Sequence, residues 1–522
     1  MWDQALAALG RLYPLPPAMT VWLVAAGAAL GVLGDGLLYT PGPPGVNLSL
    51  WIASVAAAAL ALERRMAVGL DLGRAAWLGV GVMFAAGLAW RDAPPLKLLA
   101  LGCAAVAFAL AAYRLDGSWV RRAGVLRYAA ALALGAVHAW TAATLTLLEA
   151  TTSGRPTERG PGRRRSAAVA RGLLIAAPLV AVFGALLVSA DAAFEALVRN
   201  LLQFDLDRLA SHVVVFAVLA WLSIGYLRGF LSGTEPRAFS KEASPAGGTA
   251  KHLSLGITEV ATALAALDLL FLLFVVLQLR YLFGGEALVR TTPGLTYAEY
   301  ARRGFFELVF AAVLVIPVLL AADGLLERRS RRDALVFRLL AGLQIALMLA
   351  IAASALERLR LYRAAYGLTE SRFYAAALLL WTGAMLLWLA ATVLRGRREE
   401  FAFGLLTSGL AAVALLFFLN PDAVIARTNL ARLASGPAPG RFDAAYVASL
   451  SADAVPVLVA ALDSLPPEAQ CRLARRLLRR WGPEREASLR DWNWSVARAR
   501  DAVSAHQGRL RAALGPGQTC PP

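Results

Sequence analysis

Long apolar runs recur along this sequence as far as Leu419, and they constrain its fold more than any other feature. A helix of about 20 apolar residues spans the hydrocarbon core of a bilayer. The chain is 59% hydrophobic, above the roughly half that is typical of soluble domains. The pattern predicts an all-α, polytopic transmembrane helical bundle of about twelve spans, within a range of about 11–13. The runs are Ala18–Leu38, Asn47–Leu62, Ala75–Trp90, Leu96–Leu115, Leu126–Leu148, Gly172–Ala190, Ser211–Phe230, Thr258–Phe283, Gly304–Leu326, Ala334–Leu356, Phe373–Leu394 and Phe401–Leu419.

These runs divide the chain into four predicted regions. Residues 1–150 form an N-terminal transmembrane region of about five spans, followed by a basic cytoplasmic loop at 151–171. Residues 172–419 form a transmembrane core of about seven spans. Residues 420–522 form a small helical extramembrane tail, because Asn420-Pro421, Ser451 and Pro466-Pro467 are patterns that begin helices.

The tail segment that ends at Trp481 has two interpretations. Leu473, Leu477 and Trp481 fall on one helical face, and a row of arginines falls on the other. Such a helix either lies on lipid head groups or packs its apolar face against the neighbouring segment Asp453–Leu462. We favour the packed helix.

The net charge of +17 does not indicate nucleic-acid binding. The basic residues lie between the apolar runs and in the tail, where membrane topology places positive charge. Lysine is nearly absent, with only Lys97, Lys241 and Lys251, and this arginine bias is typical of a GC-rich bacterial genome. We expect the lipid bilayer as a partner and no nucleic acid, and we leave protein partners open.

Basic residues are unequally shared between alternate loops from residue 151 onward. About 16 Lys and Arg lie in the loops on one side, at 151–171, 231–256, 327–333 and 395–400. The loops on the other side, at 191–210, 284–303 and 357–372, carry about 9. The positive-inside rule then predicts a multi-pass inner (plasma) membrane protein whose tail is extracytoplasmic. The rule fails before residue 151, where five spans would leave Arg64, Arg65, Arg121 and Arg122 outside. Either a span is miscounted or this half of the chain follows the rule poorly, so the side of the N-terminus stays open.

The three cysteines exclude a disulfide-dense scaffold. Cys103 lies within an apolar run, whereas Cys471 and Cys520 share the tail. If the tail is extracytoplasmic, these two meet oxidising conditions, and we predict that they pair.

No sequence motif for a cofactor, a metal or a known catalytic centre is present. We therefore predict no cofactor and no metal site, and the catalytic residues, if the chain is an enzyme, stay unknown.

Polar residues inside the apolar runs are costly in lipid and so are informative. Asp323 and Arg338 lie at equal depth on consecutive helices, which predicts a salt bridge. His138 is interpreted as an imidazole hydrogen-bonded between helices, and Asp268 either as a proton or cation relay or, as we favour, as a protonated acid bonded across helices.

Several segments beside the predicted outer loops resemble one family. They are Ser189-Ala190-Asp191 with Phe194, Tyr281–Gly285, Tyr297–Leu308, Arg360-Leu361-Tyr362, Ala365–Thr369, Arg372, the tail residues Asn420, Asp422, Ile425, Ala426 and Asn429, and Asp453–Pro456. Together these segments resemble the bacterial domain of unknown function 4173 family of multi-pass membrane proteins, over about Leu173–Ala460. The resemblance implies no established activity, and it leaves the first 150 residues outside the family.

All of these segments fall on or near the predicted extracytoplasmic face, where loops on a rigid scaffold carry binding groups. Each also has a structural interpretation, since tyrosines and arginines suit a membrane interface and Glu299 suits a capping box. We predict that they converge on one pocket. The candidates are Asp191, Tyr297, Glu299, Tyr300, Arg302, Arg303, Glu307, Arg358, Arg360, Tyr362, Tyr366, Arg372, Asn420, Asp422 and Asn429.

Guanidinium groups beside tyrosines suit phosphate. The leading hypothesis is therefore a cell-envelope binding or transport module for an anionic lipid or a lipid-linked precursor. One alternative is an enzyme that resembles lipid-linked glycosyltransferases, for which Asp35 is the only acid beside the first outer loop. Another is a membrane signalling or assembly scaffold whose tail docks a partner.

Overall fold

The computed structural model describes residues 17–39, 42–66, 71–113, 121, 123–152, 206–232, 254–291, 305–327, 329–434, 443–482, 491–514 and 520. Over these residues the chain is all-α, which confirms the predicted fold class. The one extended contact among them is a parallel bridge between Leu255 and Leu326. The long helices are α1 (Pro17–Leu38), α2 (Val46–Arg65), α3 (Leu72–Trp90), α4 (Pro94–Ala112), α5 (Val125–Thr152), α6 (Leu206–Ser232), α7 (Ile257–Thr291), α8 (Phe305–Leu325), α9 (Arg331–Tyr366), α10 (Glu370–Thr392) and α11 (Arg398–Leu419).

These 11 helices are the ones within the described residues that are long and apolar enough to cross a membrane. Each coincides with one of the predicted apolar runs, and the remaining run at 172–190 lies outside the described residues. A helix satisfies its own backbone hydrogen bonds, which is the condition for crossing lipid. The chain is therefore a multi-pass membrane protein.

The tail contains shorter helices. They are α12 (Pro421–Ala434), α13 (Ala444–Val447), α14 (Val455–Ala460), α15 (Pro467–Trp481), α16 (Trp494–Ala505) and α17 (Gln507–Ala512), with 3-10 turns at Ala452–Ala454 and Leu462–Ser464. Several begin as the sequence predicts. Pro421 and Pro467 are the first residues of α12 and α15, and the Ser451 side chain accepts from the Asp453 N–H.

The described chain divides into two compact units. The first comprises residues 1–85, 104–114 and 130–235, and the second comprises residues 86–103, 115–129 and 236–522. The apolar core of the first unit lies among α1, α2, α3 and α6. An ion pair is buried beside this core, with Arg74 Nη1 at 2.5 Å from Glu63 Oε1. Arg74 also donates to the carbonyl oxygens of Ala111 and Phe230, so the charge is held by several acceptors.

The membrane part of the second unit is organised around α9. This helix packs against α7, α8 and α10, and its residues Phe337, Ala341, Met348 and Ala355 are buried in the shared core. Ser330 and Asp333 form a capping box that begins α9.

The tail has an apolar core of its own, which includes Leu458, Leu462, Leu473, Leu477 and Trp481. The apolar face of α15 is buried in this core, where the helix contacts α13, α16, α17 and the Leu462–Ser464 turn. The helix is packed inside the tail, as we favoured over a helix lying on lipid, but mainly against elements other than the predicted neighbour Asp453–Leu462. Its basic face is exposed in part, and Arg480 donates to the carbonyl oxygens of Ser449 and Leu450.

Cys471 and Cys520 form a disulfide, with Cα atoms 5.5 Å apart, so the predicted pairing is confirmed. Cys103 is a free thiol.

The second unit has two distinguishable ends. At one end, Arg91 Nε donates to the carbonyl oxygen of Phe417, so the α3–α4 turn lies beside the end of α11, where the tail begins. At the other end, the Leu255 N–H donates to Leu325 O and its carbonyl accepts from the Glu327 N–H, which joins the start of α7 to the α8–α9 turn.

The predicted partner of Asp323 is wrong. Asp323 Oδ2 lies 3.5 Å from Arg398 Nη1, and Arg338 is exposed. The prediction considered only consecutive helices at equal depth. The start of α11 reaches the same end of the unit and brings Arg398 to the buried carboxylate instead.

Candidate functional site

A cavity of about 450 Å³ lies where the α9–α10 turn meets the tail. It combines aromatic side chains with charges of both signs. Its lining residues are Tyr362, Tyr366, Leu368, Thr369, Arg372, Asn429, Arg432, Asp443, Tyr446 and Val447. We call it the α9–tail pocket. Tyr362, Tyr366, Arg372 and Asn429 are residues that the sequence analysis expected to converge.

A paired amide–backbone contact holds the floor of the pocket. Asn429 Oδ1 accepts from the Leu368 N–H at 2.8 Å, and Asn429 Nδ2 donates to Leu368 O at 2.8 Å. Gly367 precedes this contact with φ +78°, a conformation that favours glycine. A Cβ there would clash with Asn429 Oδ1, so the close approach also requires glycine.

Two arginines approach the pocket from different elements. Arg372, in the first turn of α10, stacks its guanidinium 4.1 Å from the Tyr362 ring centroid and donates from Nη1 to Gly367 O at 2.7 Å. Arg432, on α12, donates from Nη1 to Ala364 O at 3.2 Å. A guanidinium has five N–H donors, so the Gly367 contact does not exhaust Arg372. Stacking on Tyr362 and the Gly367 contact fix Arg372 before any ligand arrives, and the Ala364 contact holds Arg432.

The tail contributes Tyr446 and Asp443. The Tyr446 hydroxyl oxygen accepts from the Glu370 N–H at 2.7 Å, so its own hydrogen is available as a donor. Burial raises the pKa of Tyr446 to about 12, which keeps that hydrogen in place at neutral pH. Asp443 caps α13 through the Tyr446 N–H, at 2.8 Å. The charged side chains that line the pocket are Arg372, Arg432 and Asp443, so the pocket has a net positive charge.

A buried acid lies behind the pocket at the start of α12. Asp422 is 0% exposed and accepts from the Ser451 N–H at 3.0 Å through Oδ2, while Oδ1 has no hydrogen-bond partner in the described part of the chain. Burial is the main cause that raises the pKa of Asp422, and the nearby carboxylates of Asp453 and Asp92 raise it further, while hydrogen bonds from Ser451 oppose the shift.

Asp453 joins the tail to the α3–α4 turn. Its carboxylate accepts from the N–H groups of Asp92 and Ala93 at 2.7 and 3.2 Å, and it forms an ion pair with Arg91 at 3.2 Å. In return, Asp92 Oδ2 accepts from the Ala452 N–H at 3.2 Å. The two aspartates thus satisfy free N–H groups at the start of α4 and of the tail 3-10 turn. Among the described residues, no group of three or more His, Cys, Asp or Glu could hold a metal ion.

The other predicted site residues have varied positions. Arg360 is exposed and bonds to Glu357 on its own helix, and Glu307 is exposed in the first turn of α8. Arg358 is buried. Asn420 ends α11 with φ 53° and accepts from the Ala423 N–H at 3.4 Å. The predicted residues outside the described chain are Asp191, Tyr297, Glu299, Tyr300, Arg302 and Arg303.

The intramembrane residues are less informative. Asp268 is 3% exposed, and neither carboxylate oxygen has a hydrogen-bond partner among the described residues, so the cross-helix bond that we favoured is not found there. His138 lies in α5, but its side chain is outside the described set. In the first unit, His212 Nδ1 lies 2.8 Å from Asp35 Oδ2. No sequence pattern predicts this pair, because 177 positions separate the two residues.

No sequence pattern predicted Arg432, Asp443 and Tyr446 at the pocket, or the contact of Asp453 with the α3–α4 turn. Arginine is abundant throughout the chain, so Arg432 carried no distinguishing signal. The resemblance did include Asp453–Pro456, which was the only available pointer to the turn contact.

The family model for the Domain of unknown function (DUF4153) matches residues 78–461, more than half of the chain. The chain belongs to this family. The resemblance to an unknown-function family is thereby supported, although the 4173 number is not confirmed. The DUF4153 match begins far earlier than the expected Leu173, and it contains the whole α9–tail pocket. No curated protein and no solved structure is significantly similar to the chain.

Proposed function

We propose that this DUF4153 protein binds the anionic head group of a lipid, or of a lipid-linked envelope precursor, in the α9–tail pocket. The observation that carries the proposal is the convergence of Arg372 and Arg432 with Tyr362, Tyr366 and Tyr446 around one cavity of about 450 Å³. Arginine forks bind phosphate oxygens in pairs, and a cavity of a few hundred Å³ is the size of a small-molecule site.

The position of the pocket supports a lipid rather than a freely soluble anion. Tyr362 lies within the apolar span Arg331–Ala364, whereas Tyr446 belongs to the tail. The pocket therefore extends from the end of a membrane span into the extramembrane region, which is the level of lipid head groups. Acyl chains of the same ligand would continue along the apolar surface of the spans.

Two observations support an extracytoplasmic pocket in a bacterial inner membrane. Disulfides persist in oxidising compartments, and the tail that forms one side of the pocket contains the Cys471–Cys520 disulfide. The loops on the opposite side carry the excess of arginine, which favours the cytoplasm.

Lipid titration followed by native mass spectrometry tests the proposal. The protein, released from detergent, is titrated with phosphatidylglycerol and, separately, with phosphatidylcholine. We expect preferential binding of phosphatidylglycerol. A charge-assisted hydrogen bond contributes about 1.5–3 kcal/mol, so Arg372→Gln or Arg432→Gln should weaken that binding at least about tenfold.

Arg427→Gln is the matched control, because Arg427 is an exposed arginine on the same helix as Arg432 and does not line the pocket. Equal losses in the pocket and control variants would contradict the proposal, since they would indicate general attraction of lipid to positive charge. Turnover of a polyprenyl-phosphate sugar would favour the transferase alternative, and a stable copurifying protein would favour the scaffold.

A further inference from the structure

Two tryptophans of the tail are exposed although the tail has a well-formed apolar core. Trp492 is 38% exposed and Trp494 is 49% exposed, with ring centroids 6.2 Å apart. The residues that alternate with them, Asn493 and Ser495, are buried. This alternation turns the polar side chains toward the protein and leaves the indoles on the outer side.

The buried residues of this segment are bonded to the last turn of a membrane span. Asn493 Nδ2 donates to Leu88 O at 2.8 Å and to Arg91 O at 3.0 Å. Ser495 Oγ lies 2.9 Å from Trp90 O. These carbonyl groups belong to the end of α3, where a helix leaves its last carbonyl groups without partners inside the helix. The tail therefore supplies hydrogen-bond donors to the carbonyl groups at the end of this span.

The indoles are consequently close to the membrane boundary. Consecutive Cα atoms are about 3.8 Å apart, so Trp492 and Trp494 each lie one residue from a side chain bonded at the end of α3. The neighbouring surface is also apolar. Phe418, 73% exposed near the end of α11, contacts Trp90 edge-on with ring centroids 5.3 Å apart.

We propose that Trp492 and Trp494 insert into the interfacial layer of the bilayer in which the spans lie, and so hold the tail on the membrane surface. Tryptophan is enriched at this level because its ring is largely apolar and its N–H can bond to head groups or water. The occupant is the phospholipid of the same membrane, because the exposed indoles continue the lipid-facing surface at the ends of α3 and α11. The tail thus contacts the membrane through this segment, while the apolar face of α15 is used inside the tail core.

Fluorescence quenching of a label at these positions tests the proposal. Trp492→Cys and Trp494→Cys are made separately in a Cys103→Ala background, and each is labelled with bimane in phosphatidylcholine nanodiscs. Cys471 and Cys520 are protected by their disulfide. We expect strong quenching by lipid that carries a nitroxide near the head group and weak quenching by aqueous iodide.

Ser504→Cys provides the matched control, since Ser504 is exposed on α16 and lies about 15 Å along that helix from Trp494. The control label should be quenched by iodide and little by the lipid nitroxide. Iodide quenching at 492 and 494 equal to that at 504 would overturn the proposal. Protection from both quenchers would also overturn it, because it would indicate a protein partner or a second copy over the indoles.

The unsubstituted protein gives a second measurement that does not depend on the variants folding. Hydroxyl-radical oxidation of Trp492 and Trp494 is measured by mass spectrometry in a short-chain detergent, whose molecules exchange rapidly with water, and in an unlabelled phosphatidylcholine bilayer. Oxidation of both residues should be several-fold lower in the bilayer. Unchanged oxidation would contradict insertion into the interfacial layer.

Discussion

Gly367 and Asn429 depend on each other at the floor of the α9–tail pocket. Gly367→Ala should destabilise the protein, because a backbone with φ +78° and ψ 178° is essentially reserved for glycine and costs other residues about 1–3 kcal/mol. Asn429→Ala should cost a similar amount, since it leaves the buried N–H and carbonyl of Leu368 unpaired, at about 1–3 kcal/mol.

The double variant tests whether the two effects are coupled. Removing the Asn429 side chain removes the clash with the new Cβ while the backbone strain remains, so the double variant should lose less stability than the sum of the single variants. Thermal unfolding of the purified proteins measures this. Strictly additive losses would contradict the contact between residues 367 and 429.

Asp422 should make the stability of the protein depend on pH. Burial raises the pKa of Asp422 above its ordinary value of 3.8, so the folded protein binds a proton more tightly than the unfolded chain does. The free energy of unfolding should therefore decrease as pH rises from the unfolded pKa through the folded pKa. Asp422→Asn should remove this decrease, whereas Asp501→Asn, at an exposed tail acid, should retain it. Parallel stability–pH curves for wild type and Asp422→Asn would contradict the assignment.

The contact between the tail and the start of α4 is the main interaction to test at the level of elements. Asp453 is almost fully buried. It forms an ion pair with Arg91 and accepts hydrogen bonds from the N–H groups of Asp92 and Ala93, just before α4. Asp453→Ala should cost about 3–5 kcal/mol, as expected when one partner of a buried pair is left alone. The thermal unfolding midpoint should fall accordingly.

Asp463→Ala is the comparison for that measurement. Asp463 also pairs with an arginine, Arg509, but its side chain is 74% exposed, and exposed pairs contribute little. Equal shifts in the two variants would contradict the structural role of Asp453.

The elements themselves were largely predictable, whereas their partners were not. Apolar runs identify spans because lipid requires continuous apolar helices, and proline or serine at positions 421, 451 and 467 marks the tail helices. The pocket depends on how the tail folds back on the α9–α10 turn. Tyr362 and Arg372 could be identified from the sequence because they lie near a loop. Tyr446 joins them through its contact with Glu370, which is 76 residues away in the sequence. Periodicity contains no information about such contacts.

The arrangement of the second unit constrains the membrane topology of the whole molecule. The chain leaves the tail end at Pro94 and begins α7 at the opposite end, beside Leu325. This requires an odd number of crossings, yet four apolar runs lie between these points, namely α4, α5, the run at 172–190 and α6. We therefore expect that not all four runs cross once, and that the total number of spans is odd, about 11 or 13 within the predicted range of about 11–13.

An odd total also extends the positive-inside rule to the first half of the chain. On that topology we expect the loops that contain Arg64, Arg65, Arg114 and Arg121 to belong to the arginine-rich side. We expect a green fluorescent protein fused after Asp116 to fluoresce and an alkaline phosphatase fused after the C-terminus to be active. Active phosphatase at both positions would contradict this topology.

The most direct test of the central claim is a cryo-electron microscopy map of the protein extracted from its own membrane into nanodiscs without detergent. We predict density for a lipid head group inside the α9–tail pocket, within hydrogen-bonding distance of Arg372 and Arg432, with acyl chains that continue along α9. A well-resolved pocket that contains only ordered water, with lipid head groups confined to the surrounding annulus, would contradict the claim.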